Sequence, residues 1–140
     1  MQIPTPEEVN AFVAVEYPAA AVFVCEEMAP ARARVRWRHD ASLLRPGGLI
    51  SGPTQFAAAD LALWYVTFTV LGLAPMAVTS DLYINFLRPA VGGDLLAEAR
   101  LLRAGKAKIA ADVRLWIDGA PDRPVAHAVG SYARITHTRP

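Results

Sequence analysis

The sequence predicts an α+β domain in which an antiparallel sheet wraps one long central helix, and three observations predict it. From Phe56 to Val70 the chain reads Phe56, Ala57, Ala59, Leu61, Leu63, Trp64, Val66, Phe68 and Val70, which surround a helix with apolar atoms. Such a helix has no polar side to offer water and has to be enclosed. After Gly72 and Pro75 the apolar period changes to two, and four strand-like segments follow to the end. Before the helix, Ala31, Ala33, Val35 and Trp37 alternate with Arg32, Arg34, Arg36 and Arg38, a separation only a strand achieves. Helix, strand, strand, buried helix and four strands together imply a sheet curved around a helix.

The elements follow in order. Pro4 and Pro6 precede EEVNAFVAVEY, where Val9, Phe12, Val13 and Tyr17 recur at helical spacing with two glutamates in the first turn. This predicts a leading helix over residues 1–18, ended by Pro18 and belonging to the same domain as residues 19–140. Extended structure begins at Val22 and Val24. The arginine row from 32 to 38 suits a grip on a phosphate or acidic partner, a solvated strand face, or an inter-subunit row of ion pairs. LLRPGGLISGP is a Gly- and Pro-rich approach to the long helix, with Ser51 or Gly52 as cap and Pro53 in the first turn. Leu82, Ile84 and Phe86 then alternate with Asp81, Tyr83 and Asn85. Pro89 and Gly92-Gly93 mark a turn before the strand around Leu95–Leu102. A further strand covers Ala107–Ile117, ended by Asp118-Gly119, and Val125–Ile135 supplies the last. The four are expected to form a run of antiparallel hairpins.

Composition bounds the function. With 54% hydrophobic and 19% charged residues, 140 residues suffice for one well-filled core. A net charge of +1, from 14 basic and 13 acidic residues, gives no pull toward nucleic acid or an anionic membrane. The single Cys25 forms no internal disulfide and, next to Val24, suits a buried inert thiol in a reducing cytoplasm. The opening MQIPTPEEV lacks the basic start and apolar run of a secretory signal. Leu61–Val78 is uncharged, but Gly72 and Pro75 interrupt it and threonines dilute it, so no membrane span is expected.

The common catalytic signatures are absent: no paired-cysteine motif, no HExxH, no phosphate-binding glycine loop, no GxSxG. No metal site is expected, and His39, His127 and His137 carry no motif that joins them to a serine; His127, within a strand, reads as structural. Ser51 reads as a helix cap ahead of a nucleophile. Asp60 stands apart. It is the sole charged residue between Arg45 and Asp81, and it interrupts an apolar helix. Its carboxylate is therefore partnered, facing a cavity, or costly. Partial desolvation makes a carboxylate a better general base, while a buried structural partner is the equal alternative.

GGLISGPTQFAAADLALWY, then VTSDLYINFLRPAVGGDLLAEARLLRAGK, and finally VAHAVGSYARI resemble the hotdog thioesterases of the phenylacetic-acid-degradation (PaaI-type) group, relatives of the 4-hydroxybenzoyl-CoA thioesterases. The likeness runs over about residues 19–136. It implies a hotdog fold and hydrolysis of an acyl-CoA, with coenzyme A part of the substrate and no separate cofactor. It also implies a homodimer or homotetramer with the active site at the subunit interface. In the family a backbone N–H at the start of the central helix polarises the thioester carbonyl and a helix carboxylate activates water. Carried over, these are Gly52 and Asp60. Eight helical residues span about 12 Å, too far for both groups of one chain to serve one carbonyl, so the partner helix has to run antiparallel alongside. The family commonly shows His-Gly-Gly where this chain has Ser51-Gly52-Pro53, and an Asn where Arg45 stands; Ser51 or Gln55 are candidates to substitute. Trp64, Tyr65 and Phe68 are candidates to wall an acyl pocket, although core packing is the plainer role. Arg88 and Lys106 are candidates to meet the phosphates of coenzyme A. Two further readings remain: a non-catalytic acyl-CoA-binding hotdog protein, and, less favoured because no His lies between His39 and His127, an enoyl-CoA hydratase.

Overall fold

A computed structural model describes residues 2–135. Helix α1 spans Pro6–Glu16 and begins in a capping box: the Thr5 hydroxyl accepts from the Glu8 N–H, and the Glu8 carboxylate accepts from the Thr5 N–H. Its buried face is Val9 and Val13. From the same helix Asn10 reaches strand β1 (Phe23–Ala29) and pairs with both backbone groups of Cys25, at 2.9 and 2.8 Å. This ties the leading helix to the sheet.

Strand β2 (Arg32–Trp37) follows a tight turn in which Ala31 has φ 60°. Helix α2 then spans Gly52–Leu71 and ends at Gly72, whose φ of 75° a side chain would disfavour. Strands β3 (Val78–Phe86), β4 (Leu95–Ala104), β5 (Lys108–Ile117) and β6 (Ala126–Ala133) complete the chain. All pairs are antiparallel, in the order β1-β2-β4-β5-β6-β3.

That order corrects the expected run of four hairpins, because β3 pairs with β6 and leaves β4 to β2. The connection after β3 does not turn back on itself. Its Leu87 and Arg88 N–H groups donate to the Val125 carbonyl, and the Ala90 carbonyl accepts from Ile50 N–H, so the segment crosses the end of the sheet. The strand is left with one free edge.

Helix α2 lies in the hollow of the sheet, with Ala58, Ala59, Leu63, Tyr65, Val66 and Phe68 fully enclosed. Facing it are Val35, Leu95, Ala97, Val113, Leu115 and Ala128 from four strands. Alanines on both sides let a thick helix approach a sheet closely. The exposed positions lie in its first turns, where Pro53 is exposed and Phe56 is 41% exposed. The arginine row is satisfied within the chain. Arg34 pairs with Glu26 and Glu27, Arg36 with Glu26, Asp94 and Asp118, and Arg32 with Glu27 and Glu98. Arg38 lies beyond the end of β2. Neither the phosphate grip nor the inter-subunit row is needed to account for these charges. Among the described residues no helix is long and apolar enough to cross a membrane, and no cluster suited to a metal ion is found.

Candidate active site

The site starts at the first turn of α2. Ser51 is the cap, its Oγ accepting from Thr54 N–H at 3.2 Å, and its carbonyl accepts from Gln55 N–H at 3.1 Å. Pro53 has no N–H. Among the described residues Gly52 is thus left with the one backbone donor of that turn that has no acceptor, at the positive end of a 20-residue helix. It opens onto a cavity of about 380 Å³ lined also by Arg45, Gln55, Phe86 and Arg88. The Phe86 ring lies over Gly52, and a Cβ there would come within 3.3 Å of it.

Gln55 is only 5% exposed; its Nε2 donates to the Ile50 carbonyl, whereas its Oε1 is buried without a partner. An unpaired buried amide oxygen is costly unless a ligand donor reaches it. Arg88 spends one N–H on the Pro124 carbonyl at 2.7 Å and is otherwise exposed.

Two turns further along α2, Asp60 opens onto a different cavity, of about 300 Å³. Its walls are Leu61, Trp64, Val78 and Tyr17, with Thr79 and Tyr132 beside the carboxylate. Asp60 Oδ1 accepts from Thr79 Oγ at 2.8 Å and from the Tyr132 hydroxyl at 2.9 Å. No protein donor reaches Oδ2 among the described residues, and it is not one of the buried unpaired atoms, so it is open to water. The carboxylate is thus both partnered and facing a cavity, two of the three alternatives the sequence left open.

A bulge creates this arrangement. Along β3, Phe86, Ile84 and Leu82 sit opposite Ala126, Ala128 and Gly130 of β6, which would bring Ser80 opposite Tyr132. The register instead shifts between Thr79 and Asp81, so that Thr79 takes that place. One extra residue turns the threonine hydroxyl inward, toward α2. The close approach is possible because Gly130 has no side chain: a Cβ there would lie 2.6 Å from the Asp81 carbonyl oxygen.

Other predicted residues separate into two groups. Trp64 walls the Asp60 cavity at 6% exposure, its Nε1 buried and unpaired. Phe68 does not line a cavity. It is 0% exposed and stacks edge-on with Phe12 at 5.7 Å and Trp64 at 5.2 Å, which makes it core. Tyr65 is core too, its hydroxyl donating to the Phe23 carbonyl at 2.9 Å. Lys106 sits exposed on the β4–β5 turn and lines neither cavity. Ser51 acts as the cap. His127 pairs with Asp112 at 3.0 Å across β5 and β6, consistent with a structural role, and His137 lies outside the described residues. Burial pushes the Cys25 thiol up to about 12, which keeps it protonated and inert.

Sequence reasoning missed Thr79, Tyr132 and Tyr17. Thr79 is hidden by the bulge, since simple alternation puts Ser80 on the inner side. Tyr132 was legible only as one more residue of the last strand.

The profile of the thioesterase superfamily matches residues 47–121, more than half of the chain, including Gly52 and Asp60. The chain belongs to the thioesterase superfamily. A Saccharolobus solfataricus protein named as an esterase is 30% identical over 132 residues, 94% of this chain and 81% of that protein. A Silicibacter sp. TM1040 protein described as a thioesterase superimposes with a TM-score of 0.85 at 29% identity, covering 95% and 93% of the two chains. The Escherichia coli PaaI protein of the phenylacetic acid degradation operon gives 0.73 at 29% identity over 89% and 95%. The hotdog fold and the PaaI-type resemblance therefore hold, and the protein is a thioester hydrolase.

Proposed function

We propose that this thioesterase hydrolyses an acyl-CoA, with an aromatic or short- to medium-chain acyl group, in an active site shared by two protomers. The observation that carries the reading is the division of labour along α2. A carboxylate with one fixed and one water-accessible oxygen faces one cavity, and the free N–H of the helix tip faces another. About 12 Å of helix lies between them, so one chain does not bring both to one carbonyl.

Two copies with antiparallel α2 helices do. The exposed edge of β3 and the exposed side of α2 supply the contact: Tyr83 is 72% exposed, and Phe56, Val78 and Phe86 are each two-fifths exposed or more. In the shared cleft Asp60 of one protomer removes a proton from water as the oxygen attacks the thioester carbon. The resulting oxyanion is held by Gly52 N–H of the other protomer. Collapse of the tetrahedral intermediate breaks the C–S bond; the proton on Asp60 passes to the departing thiolate, giving the free acid and coenzyme A.

Trp64, Leu61 and Tyr17 wall the acyl group. Arg88 and Arg45 lie by Gly52, where they suit the phosphates, and Gln55 Oε1 offers an acceptor to an amide N–H of the pantetheine arm. Coenzyme A as substrate and a buried free thiol suit the cytoplasm.

The test is thiol release from a panel of acetyl-, butanoyl-, octanoyl-, benzoyl- and phenylacetyl-CoA. Wild type turns over at least one of them, and Asp60→Asn lowers that kcat/KM by about 10²-fold or more with the oligomer intact. Unchanged turnover by Asp60→Asn rejects the base, and silence across the panel leaves an acyl-CoA-binding protein as the better reading.

A further inference from the structure

Asp60 is held from two sides by groups that the reaction itself does not require. Tyr132 comes from β6, 72 residues from Asp60 along the chain, and is 5% exposed. Its hydroxyl lies 2.9 Å from Asp60 Oδ1 and 3.3 Å from the Asp60 backbone carbonyl. Thr79, directly across the β3–β6 ladder from Tyr132, brings a second hydroxyl to the same oxygen at 2.8 Å.

We propose that Tyr132 is a positioning residue for Asp60. By donating to Oδ1 and bridging to the helix backbone, it fixes the carboxylate rotamer so that Oδ2 is the oxygen that takes the proton from water. The inference rests on the reading of Asp60 as the base and adds to it which oxygen acts and what aims it.

Three features support the assignment. A carboxylate in the middle of a helix has a broad terminal torsion, and without a fixed partner it would sample orientations that point neither oxygen at the cleft. Two donors on one oxygen remove that freedom and make the other the accessible base. Tyr132 is also a dependable donor: burial, reinforced by the neighbouring Asp60 charge, pushes its phenol far above the usual range, so it keeps its proton throughout any practical assay. Finally, the β3 bulge and the close approach permitted by Gly130 bring β3 and β6 together at this level of the sheet.

The remaining titratable groups around the cavity are Glu16 and Tyr17, neither of them hydrogen-bonded to Asp60.

Tyr132→Phe keeps the ring and deletes the donor. With whichever CoA ester of the panel wild type turns over fastest, kcat is expected to fall about tenfold or more while KM stays within about twofold. The melting temperature and oligomeric state, reported alongside, separate this from unfolding. A wild-type kcat in Tyr132→Phe overturns the assignment of Tyr132. If Asp60→Asn is inactive in the same assays, the base survives that failure; if Asp60→Asn is fully active, the reading of Asp60 itself has failed.

Discussion

In the proposed mechanism Gly52 contributes a single backbone N–H. The cap satisfies Thr54 and Gln55, proline removes one donor, and among the described residues the backbone amide of that turn left without an acceptor belongs to Gly52, which lines the cavity. Deleting it is practical because the local conformation already tolerates proline. Ser51 has φ −69° and ψ 157°, the conformation favoured before proline, and the first helical position accepts its ring. Gly52→Pro is expected to retain far-UV helicity and to lose about 10²- to 10³-fold in kcat, the usual cost of one oxyanion donor, measured by thiol release. Retention of kcat would place the oxyanion donor elsewhere.

At the scale of elements, the meeting of β3 and β6 decides where the carboxylate is held. Gly130→Ala drives a Cβ to 2.6 Å from a backbone oxygen and 2.8 Å from Leu82, and neither the bulge nor the ladder yields cheaply. A loss of about 2–3 kcal/mol in a urea titration is expected, with Asp60 losing its hydroxyl partners before the rest of the sheet loosens. An unaltered midpoint would mean that the bulge is soft.

The same region marks how far the sequence could be read. The apolar periods revealed both α-helices and the six strands, though not the short 3-10 turns at Pro18–Ala20 and Ala41–Leu43, because burial on all sides of α2 and on alternate sides of the strands leaves a direct imprint. Ser51 as cap and Asp60 as the lone charge in an apolar helix were legible for the same reason: each breaks a local pattern. Strand order was not, since hairpin reasoning joins neighbours in sequence, whereas β3 is carried past the sheet end by hydrogen bonds to Val125 and Ile50. Nor was Thr79, because a bulge reverses the parity on which the alternation depends. Phe68 and Trp64 look alike in sequence and both pack against Phe12, yet Phe68 is wholly enclosed while Trp64 reaches the cavity.

For the whole molecule, the central claim is that the site is completed by a second copy. A closed pair related by a two-fold axis repeats each contact, and so contains two sites, each with Asp60 from one chain and Gly52 from the other. Mixed pairs test this directly. When Asp60→Asn and Gly52→Pro chains are co-expressed and associate at random, half of the pairs are mixed, and in each mixed pair one site has both intact groups. Two variants that are separately inactive should therefore regain about a quarter of wild-type thioesterase activity. No recovery, in material shown by differently tagged chains to contain mixed pairs, would contradict a site shared between protomers.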